Sequence, residues 1–329
     1  MSIEGHAWTA DRFGDPREVL TWSPRTWEQP AEGNIVVEVR AAGVGLPDSL
    51  MLEGVYPLVA HPPITPGQEV CGTVVAVGPH SRFSIGERVF GTTQFYAGSG
   101  GFASHAAMAE SMAFPAPDQL TDEQAAGFYI GYRTAYTALV TRCGLQPGET
   151  VLVLGGAGST GAASIALAKA LDARVVAMAS TAAKRAFCTA LGADAVIDRD
   201  SDLLRSAAAE HTGAAGFNVV IDPVGGEIAD AAMGVVARYG RFAAIGFASG
   251  SWPTPNVADM VMRNYSVMGV LAAGFTPEED RAHMGHLLEL AATDRIATPL
   301  ADVAAMADVP AVVASLGGGA PPGKLVVRA

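Results

Sequence analysis

The residues best suited to do chemistry lie between Val151 and Arg185, in VLVLGGAGSTGAASIALAKALDARVVAMASTAAKR. Gly156, Gly158 and Gly161 form a G-x-G-x-x-G, with Gly155 immediately ahead and Ser159 and Thr160 inside it. Glycine is 38 of 329 residues here, so the spacing alone means little. The context means more, because an apolar strand precedes the turn and a helix of Ala, Ile, Leu and Lys follows. Glycines allow a tight turn and let a pyrophosphate approach the backbone. The helix, expected to start near Thr160, directs free N–H groups and its positive dipole end at that phosphate. A purely structural turn packed at Gly161 is the competing reading, and the strand–turn–helix order favours a dinucleotide.

The end of the second strand discriminates between dinucleotides. An Asp or Glu there accepts hydrogen bonds from both ribose hydroxyls and repels a 2′-phosphate. Here the strand ends Met178-Ala179-Ser180-Thr181, followed by Lys184 and Arg185. Ser180 and Thr181 donate, the two cations neutralise, and the next helix N-terminus adds to the attraction. Arg199, at the end of the third strand in AVIDR, approaches from the neighbouring position. NADPH is therefore expected over NADH. The alternative is that Lys184 and Arg185 sit on a solvated helix face.

Other chemistries are poorly served. A net charge of −12 argues against nucleic acid as a partner. Cys71, Cys143 and Cys188 are widely separated and form no C-x-x-C, so they read as small buried hydrophobes in a reducing compartment. His283 and His286 stand i, i+3 on an expected helix with no third ligand nearby, and read as surface residues. The segment MSIEGHAWTADRFGDP lacks a basic stretch followed by an apolar run, and charges such as Lys169 and Arg174 interrupt the longest apolar stretches. A soluble, cytoplasmic protein with no membrane partner is expected.

Two groups of elements must position these residues. Residues 30–110 look β-rich, with NIVVEVRAAGV (34–44), EVCGTVVAVG (69–78) and ERVFGTT (87–93) punctuated by glycine and proline, which suggests a barrel or sandwich. Thr121-Asp122-Glu123 reads as a helix start. From residue 149 strands alternate with helices, at 150–155, 174–179, 194–197, 217–222 and 239–246, with a sixth strand in YSVMGVLAA (265–273). That alternation predicts an α/β fold with a doubly wound parallel sheet. Residues 277–293 read as an amphipathic helix, and KLVVRA (324–329) as a last strand pairing back with the β-rich part.

AAGVGLPDSLMLEGVYP (41–57), PGQEVCGTVVAVG (66–78), GERVFG (86–91), GYRTAYTAL (131–139), the Gly155–Gly161 turn and PPGKLVVR (321–328) together resemble the medium-chain dehydrogenase/reductase superfamily. Within it they are most similar to the zinc-free, zeta-crystallin-like quinone oxidoreductase branch. The resemblance implies a Rossmann domain at 123–271. It also implies a β-rich, partly open barrel domain at 1–122, completed by 272–329. Zinc-dependent members place a cysteine ligand where Gly45 stands, and a histidine ligand where Gln68 stands in Gly67-Gln68-Glu69. Neither residue here replaces those ligands, so no metal is expected.

Without a Lewis acid, acceptors that spread charge into an enolate or hydroquinone are favoured, namely quinones and α,β-unsaturated carbonyls. The resemblance places Tyr56 at the substrate cleft, where its phenol polarises a carbonyl or donates a proton; an aromatic wall is the alternative. Gly45 and Asp48 fall in the same pocket, with a structural role the equal alternative for Asp48. Zinc-free relatives commonly carry asparagine at the position of Gly45, so this chain lacks a polar side chain there. The resemblance also puts Thr134, Asp222, Val224, Gly246, Phe247, Gly269 and Val270 along the nicotinamide. Asp222 as a helix cap, and Gly246 and Gly269 as turn glycines, are the alternatives. Lys324 either touches the cofactor or hangs off an edge strand, and is left unassigned. A homodimer pairing through 265–270 is expected. An enoyl-thioester reductase, acting on acyl-CoA or a carrier-bound chain, competes with the quinone or enone reductase. So does a non-catalytic NADPH-binding structural or redox-sensing protein.

Overall fold

The computed structural model describes every residue except 1, 60, 201 and 214. The chain forms two units, Met1–Ile130 with Leu300–Ala329, and Gly131–Pro299. The expected boundaries at 122/123 and 271/272 are therefore displaced. Residues 123–130 stay with the first unit, where the Ile130 N–H donates to Glu69 Oε2 at 2.8 Å. Residues 272–299 stay with the second, where Asp280 pairs with Arg133 and the Ala297 carbonyl accepts the Tyr132 hydroxyl at 2.8 Å.

The first unit opens with β1 (Ile3–Ala10) and β2 (Leu20–Trp27), an antiparallel pair linked through the short α1 (Pro16–Val19). Strand β3 (Asn34–Val44) is the spine, buried along most of its length as its run of Val and Ala dictates. Helix α2 (Leu46–Glu53) follows, held at its start by Asp48 and ended by Gly54 in the left-handed region. Then come β4 (Glu69–Val77), β5 (Arg88–Thr92), β6 (His105–Ala109) and β7 (Ala113–Pro115). Helix α3 (Asp122–Ala126) starts where the sequence indicates, with Thr121 and Gln124 exchanging side-chain bonds to each other's N–H.

Helix α4 (Phe128–Tyr136) precedes the alternating elements of the second unit. These are β8 (Thr150–Val153), α5 (Ser159–Ala170), β9 (Arg174–Met178), α6 (Ala182–Ala190), β10 (Ala195–Ile197), α7 (Leu203–Thr212) and β11 (Phe217–Asp222). They continue with α8 (Gly226–Met233), β12 (Val236–Ala244), α9 (Val257–Arg263), β13 (Ser266–Gly269) and α10 (Pro277–Ala292). All six strands are parallel, in the order β10-β9-β8-β11-β12-β13. The order reverses between β8 and β11, and the crevice at the carboxyl ends of those two strands is where such sheets take ligands. Strand β12 starts before the predicted residue 239, because a register shift and Tyr239 at φ 61° absorb an irregularity that its polar residues conceal.

The chain then returns through β14 (Leu300–Ala305), α11 (Val309–Ser315) and β15 (Lys324–Arg328). Strand β15 pairs antiparallel with β3 and parallel with β14, so KLVVRA rejoins the β-rich unit as expected. The result is an open sheet, β14-β15-β3-β4-β5-β7, with β6 on β3. Among the described residues no helix is long and apolar enough to cross a membrane.

Candidate functional site

In the second unit the glycine turn has the shape that its sequence calls for. Gly155 adopts φ 59°, and a Cβ there would lie 2.8 Å from Val224 Cγ2. A Cβ on Gly161 would lie 2.3 Å from the Gly155 carbonyl oxygen, so the helix can approach the turn only without a side chain at that position. Gly158 is the N-cap of α5 and meets nothing closer than 3.5 Å. Its role is therefore exposure of the backbone and not packing. Helix α5 has no side-chain cap and no acid in its first turn, which leaves the N–H groups around Ser159 and Thr160 for an anion. The turn thus fits a dinucleotide pyrophosphate. Helix α4 packs on α5 at Gly131, whose missing Cβ would be 3.5 Å from Ser159 Oγ, and Thr134 stands half-buried one turn further along α4.

The charged residues beyond β9 divide into two kinds. Ser180 is exposed, and Thr181 accepts the Lys184 N–H at 3.2 Å, capping α6. Lys184 is half-buried with no acceptor for its ammonium among the described residues, and Arg199 is exposed. Arg185, expected to act beside Lys184, is instead bound to Asp198 at 2.9 Å.

Around β11 and β12 the resemblance-based positions take mostly architectural parts. Asp222 is fully enclosed, and its Oδ1 accepts the N–H groups of Val224 at 2.9 Å and Gly225 at 2.8 Å. It caps the turn into α8. Its Oδ2 has no partner among the described residues, and burial pushes the carboxyl up to about 6. Gly246 is tightly packed, since its Cβ would lie 3.0 Å from the Pro223 oxygen. Gly269 is not, having open space around it. Phe247 stacks on Trp252 at 4.7 Å, and the Val270 N–H continues the ladder to Ala244.

His283 and His286 are half-buried and not fully exposed. They pack against Tyr136, with ring centroids at 5.0 and 5.6 Å, and burial lowers the His283 pKa.

In the first unit a polar cluster gathers at Gly45, Asp48, Tyr56, Gln68, Glu69 and Lys324. Asp48 holds the framework together. Its two oxygens accept the N–H groups of Gly45 and Gly67, each at 2.8 Å, and it is 1% exposed. Burial pushes it up to about 6, against those two bonds and nearby Lys324. The Gln68 amide donates to the Tyr56 oxygen at 2.9 Å. Burial raises the phenol pKa, the Gln68 bond lowers it and Asp48 adds a smaller push upward. Lys324, left unassigned from sequence, is 4% exposed and lies 2.6 Å from Glu69 Oε1. Its Nζ would be 3.8 Å from a Cβ at position 45, so Gly45 stands beside the buried ammonium. The partnership of positions 69 and 324 was invisible in sequence; only the return of β15 beside β3 brings them together.

Comparison with known proteins follows the same division. Residues 31–118 match the alcohol dehydrogenase GroES-like domain, and residues 159–290 match the family described as zinc-binding dehydrogenase. Quinone oxidoreductase-like protein 2 of Bos taurus is 34% identical over 244 residues, 74% of this chain and 68% of that protein. A stretch of the erythronolide synthase of Saccharopolyspora erythraea is 37% identical over 224 residues, 67% of this chain and 6% of the synthase. A mycobacterial protein solved in complex with NADPH superposes with a TM-score of 0.89 at 28% identity, over 99% of this chain and 100% of that one. The matches span 66% to 68% of the length of the quinone oxidoreductase-like relatives.

The second family's description raises a zinc ion, and the residues do not fit one. Gly45 offers no ligand, the Gln68 amide is committed to Tyr56, and Glu69 is held by Lys324 and the Ile130 N–H. Cys71 is kept protonated, its thiol pushed up to about 12 chiefly by burial. Among the described residues no three His, Cys, Asp or Glu side chains gather as a metal-holding group.

Proposed function

The chain belongs to the quinone oxidoreductase branch of the medium-chain dehydrogenase/reductase superfamily, and from that premise we propose an NADPH-dependent reductase. It works without zinc and reduces a quinone or an α,β-unsaturated carbonyl. The observation that carries this reading is the Gln68–Tyr56 hydrogen bond, standing where zinc-dependent members of the superfamily keep a metal ligand. When bound, NADPH supplies the hydride.

The chain's own residues do the rest. The Gly155–Gly161 turn and the start of α5 hold the pyrophosphate, and Ser180, Lys184 and Arg199 take the 2′-phosphate. Because the Gln68 amide donates to the Tyr56 oxygen, the phenol proton points elsewhere and is available to an acceptor oxygen. The raised pKa keeps that proton in place at neutral pH, so Tyr56 serves as a donor and not as a base. One or two such donors suffice only where charge delocalises as it develops, which favours conjugated acceptors over simple ketones. The bound mycobacterial neighbour supports the choice of NADPH.

A second reading, reduction of an enoyl thioester, is favoured by the likeness to the erythronolide synthase. NADPH oxidation followed by absorbance against quinones, simple enones and crotonyl thioesters separates the two. Tight NADPH binding with no turnover on any of them would sink both, and would leave a cofactor-binding protein. The proposal includes a reducing, cytoplasmic setting for the three free thiols. It also includes a homodimer joined through the edge strand β13, which sedimentation analysis tests.

A further inference from the structure

The second strand of the parallel sheet ends without an acid, but the third does not. The Ala179 N–H donates to the Ile197 carbonyl at 3.1 Å, so the chain leaves β9 and β10 side by side. Ser180 follows on one side and Asp198 on the other. Arg185, in the first turns of α6, reaches back into this gap. Its Nη1 lies 2.9 Å from Asp198 Oδ2 and 3.5 Å from the Ala179 carbonyl oxygen. The other oxygen of Asp198 accepts the Arg199 N–H at 2.7 Å. Asp198 is half exposed, and among the described residues Arg185 is the cation paired with it beside Ser180. Asp200 accepts the Asp202 N–H at 2.8 Å.

We propose that Arg185 determines cofactor specificity by masking Asp198, a carboxylate that would otherwise repel a 2′-phosphate beside Ser180. The cations that bind the phosphate are then Lys184 and Arg199. This inference rests on the NADPH reading above and assigns to Arg185 an indirect role within it. An acid at the end of the second strand would favour a free ribose hydroxyl. Here the acid comes from the third strand and is cancelled by its own counterion. An unmasked carboxylate about 5 Å from a doubly charged phosphate weakens binding on the order of tenfold, and less as the separation nears a Debye length.

The experiment uses 2′,5′-ADP and 5′-AMP, which differ by the 2′-phosphate, with dissociation constants measured by calorimetry. The proteins are the wild type, Arg185→Met, Asp198→Asn and the double variant, each checked for an unchanged thermal transition. Arg185→Met is expected to weaken 2′,5′-ADP about tenfold and 5′-AMP less than twofold. Asp198→Asn, which frees the guanidinium, is expected to tighten 2′,5′-ADP. The double variant is expected to return to roughly the wild-type value, because the charge that needed masking is gone. A double variant as weak as Arg185→Met overturns the inference, since Arg185 would then touch the phosphate directly. Weakening by Asp198→Asn overturns it as well. A wild type with no preference for 2′,5′-ADP would instead remove the NADPH reading itself.

Discussion

Replacing Asp222 by asparagine separates the cost of a buried charge from the value of its hydrogen bonds. Oδ1 accepts both the Val224 and Gly225 N–H groups, and an asparagine oxygen keeps both bonds. What Asp222→Asn removes is the ionisable oxygen without a partner. In the fold burial raises this carboxyl from 3.8 to about 6. Because the folded pKa is raised, the stability that the protonated acid contributes is fully present below 3.8 and is lost as the pH rises through 6. A shift of about two units corresponds to about 3 kcal/mol across that window. Denaturant unfolding of wild type and variant, from pH 4 to pH 8, reads the difference directly. Asp48, also raised to about 6, titrates in both proteins and cancels. The wild type is expected to lose about 3 kcal/mol relative to the variant as the pH rises, or roughly 6–12 °C in Tm for a unit of this size. Any constant offset from the new amide leaves that slope untouched. A gap between the two proteins that stays flat across the range would refute the reasoning.

Gly161→Ala forces a Cβ to within 2.3 Å of the Gly155 oxygen and is expected to cost roughly 1–3 kcal/mol along with dinucleotide binding. Gly158→Ala, with 3.5 Å available, is expected to leave thermal stability unchanged and weaken only the dinucleotide, which paired melts and titrations check. Lys324→Met strands the buried Glu69 and is expected to cost about 3–5 kcal/mol in urea unfolding, most of it recovered by adding Glu69→Gln. Tyr56→Phe is expected to lower kcat about 10²- to 10⁴-fold with the Kd for NADPH unchanged, measured by stopped-flow and calorimetry. None of the three thiols, buried and pushed up to about 12 at Cys71 and Cys143 and about 11 at Cys188, is expected to react with a maleimide until the protein is unfolded.

Local patterns were legible and distant partnerships were not. The β3 strand, the helix start at Thr121 and the parallel alternation follow from residue periodicity and turn chemistry, which act over a few positions. The β1–β2 hairpin was missed because Trp8, Trp22 and Trp27 are interleaved with charges and prolines that blur its alternation. Arg185 beside Lys184 looked like a second phosphate ligand, because only the fold brings it to Asp198. The histidines at 283 and 286 looked exposed, because their cover comes from Tyr136 on another helix. Asp48 was open between a structural and a catalytic role, and its clamp on two loops is visible only in the tertiary structure. Lys324 is the instructive case: a lysine beside a glycine suggests a solvated tail, and its burial depends on a carboxylate far away in sequence.

The return of β15 to β3 also fixes an order of assembly. Protein synthesis runs from the N-terminus, and domains usually mature in the order they emerge. Here the strand that covers one side of β3, and the ammonium that neutralises Glu69, leave the ribosome only after all of Gly131–Pro299 has been made. The β-rich unit therefore waits, with an open edge and an uncompensated carboxylate, while the nucleotide unit is free to fold. A copy truncated anywhere before Lys324 lacks both the covering strand and the partner for Glu69.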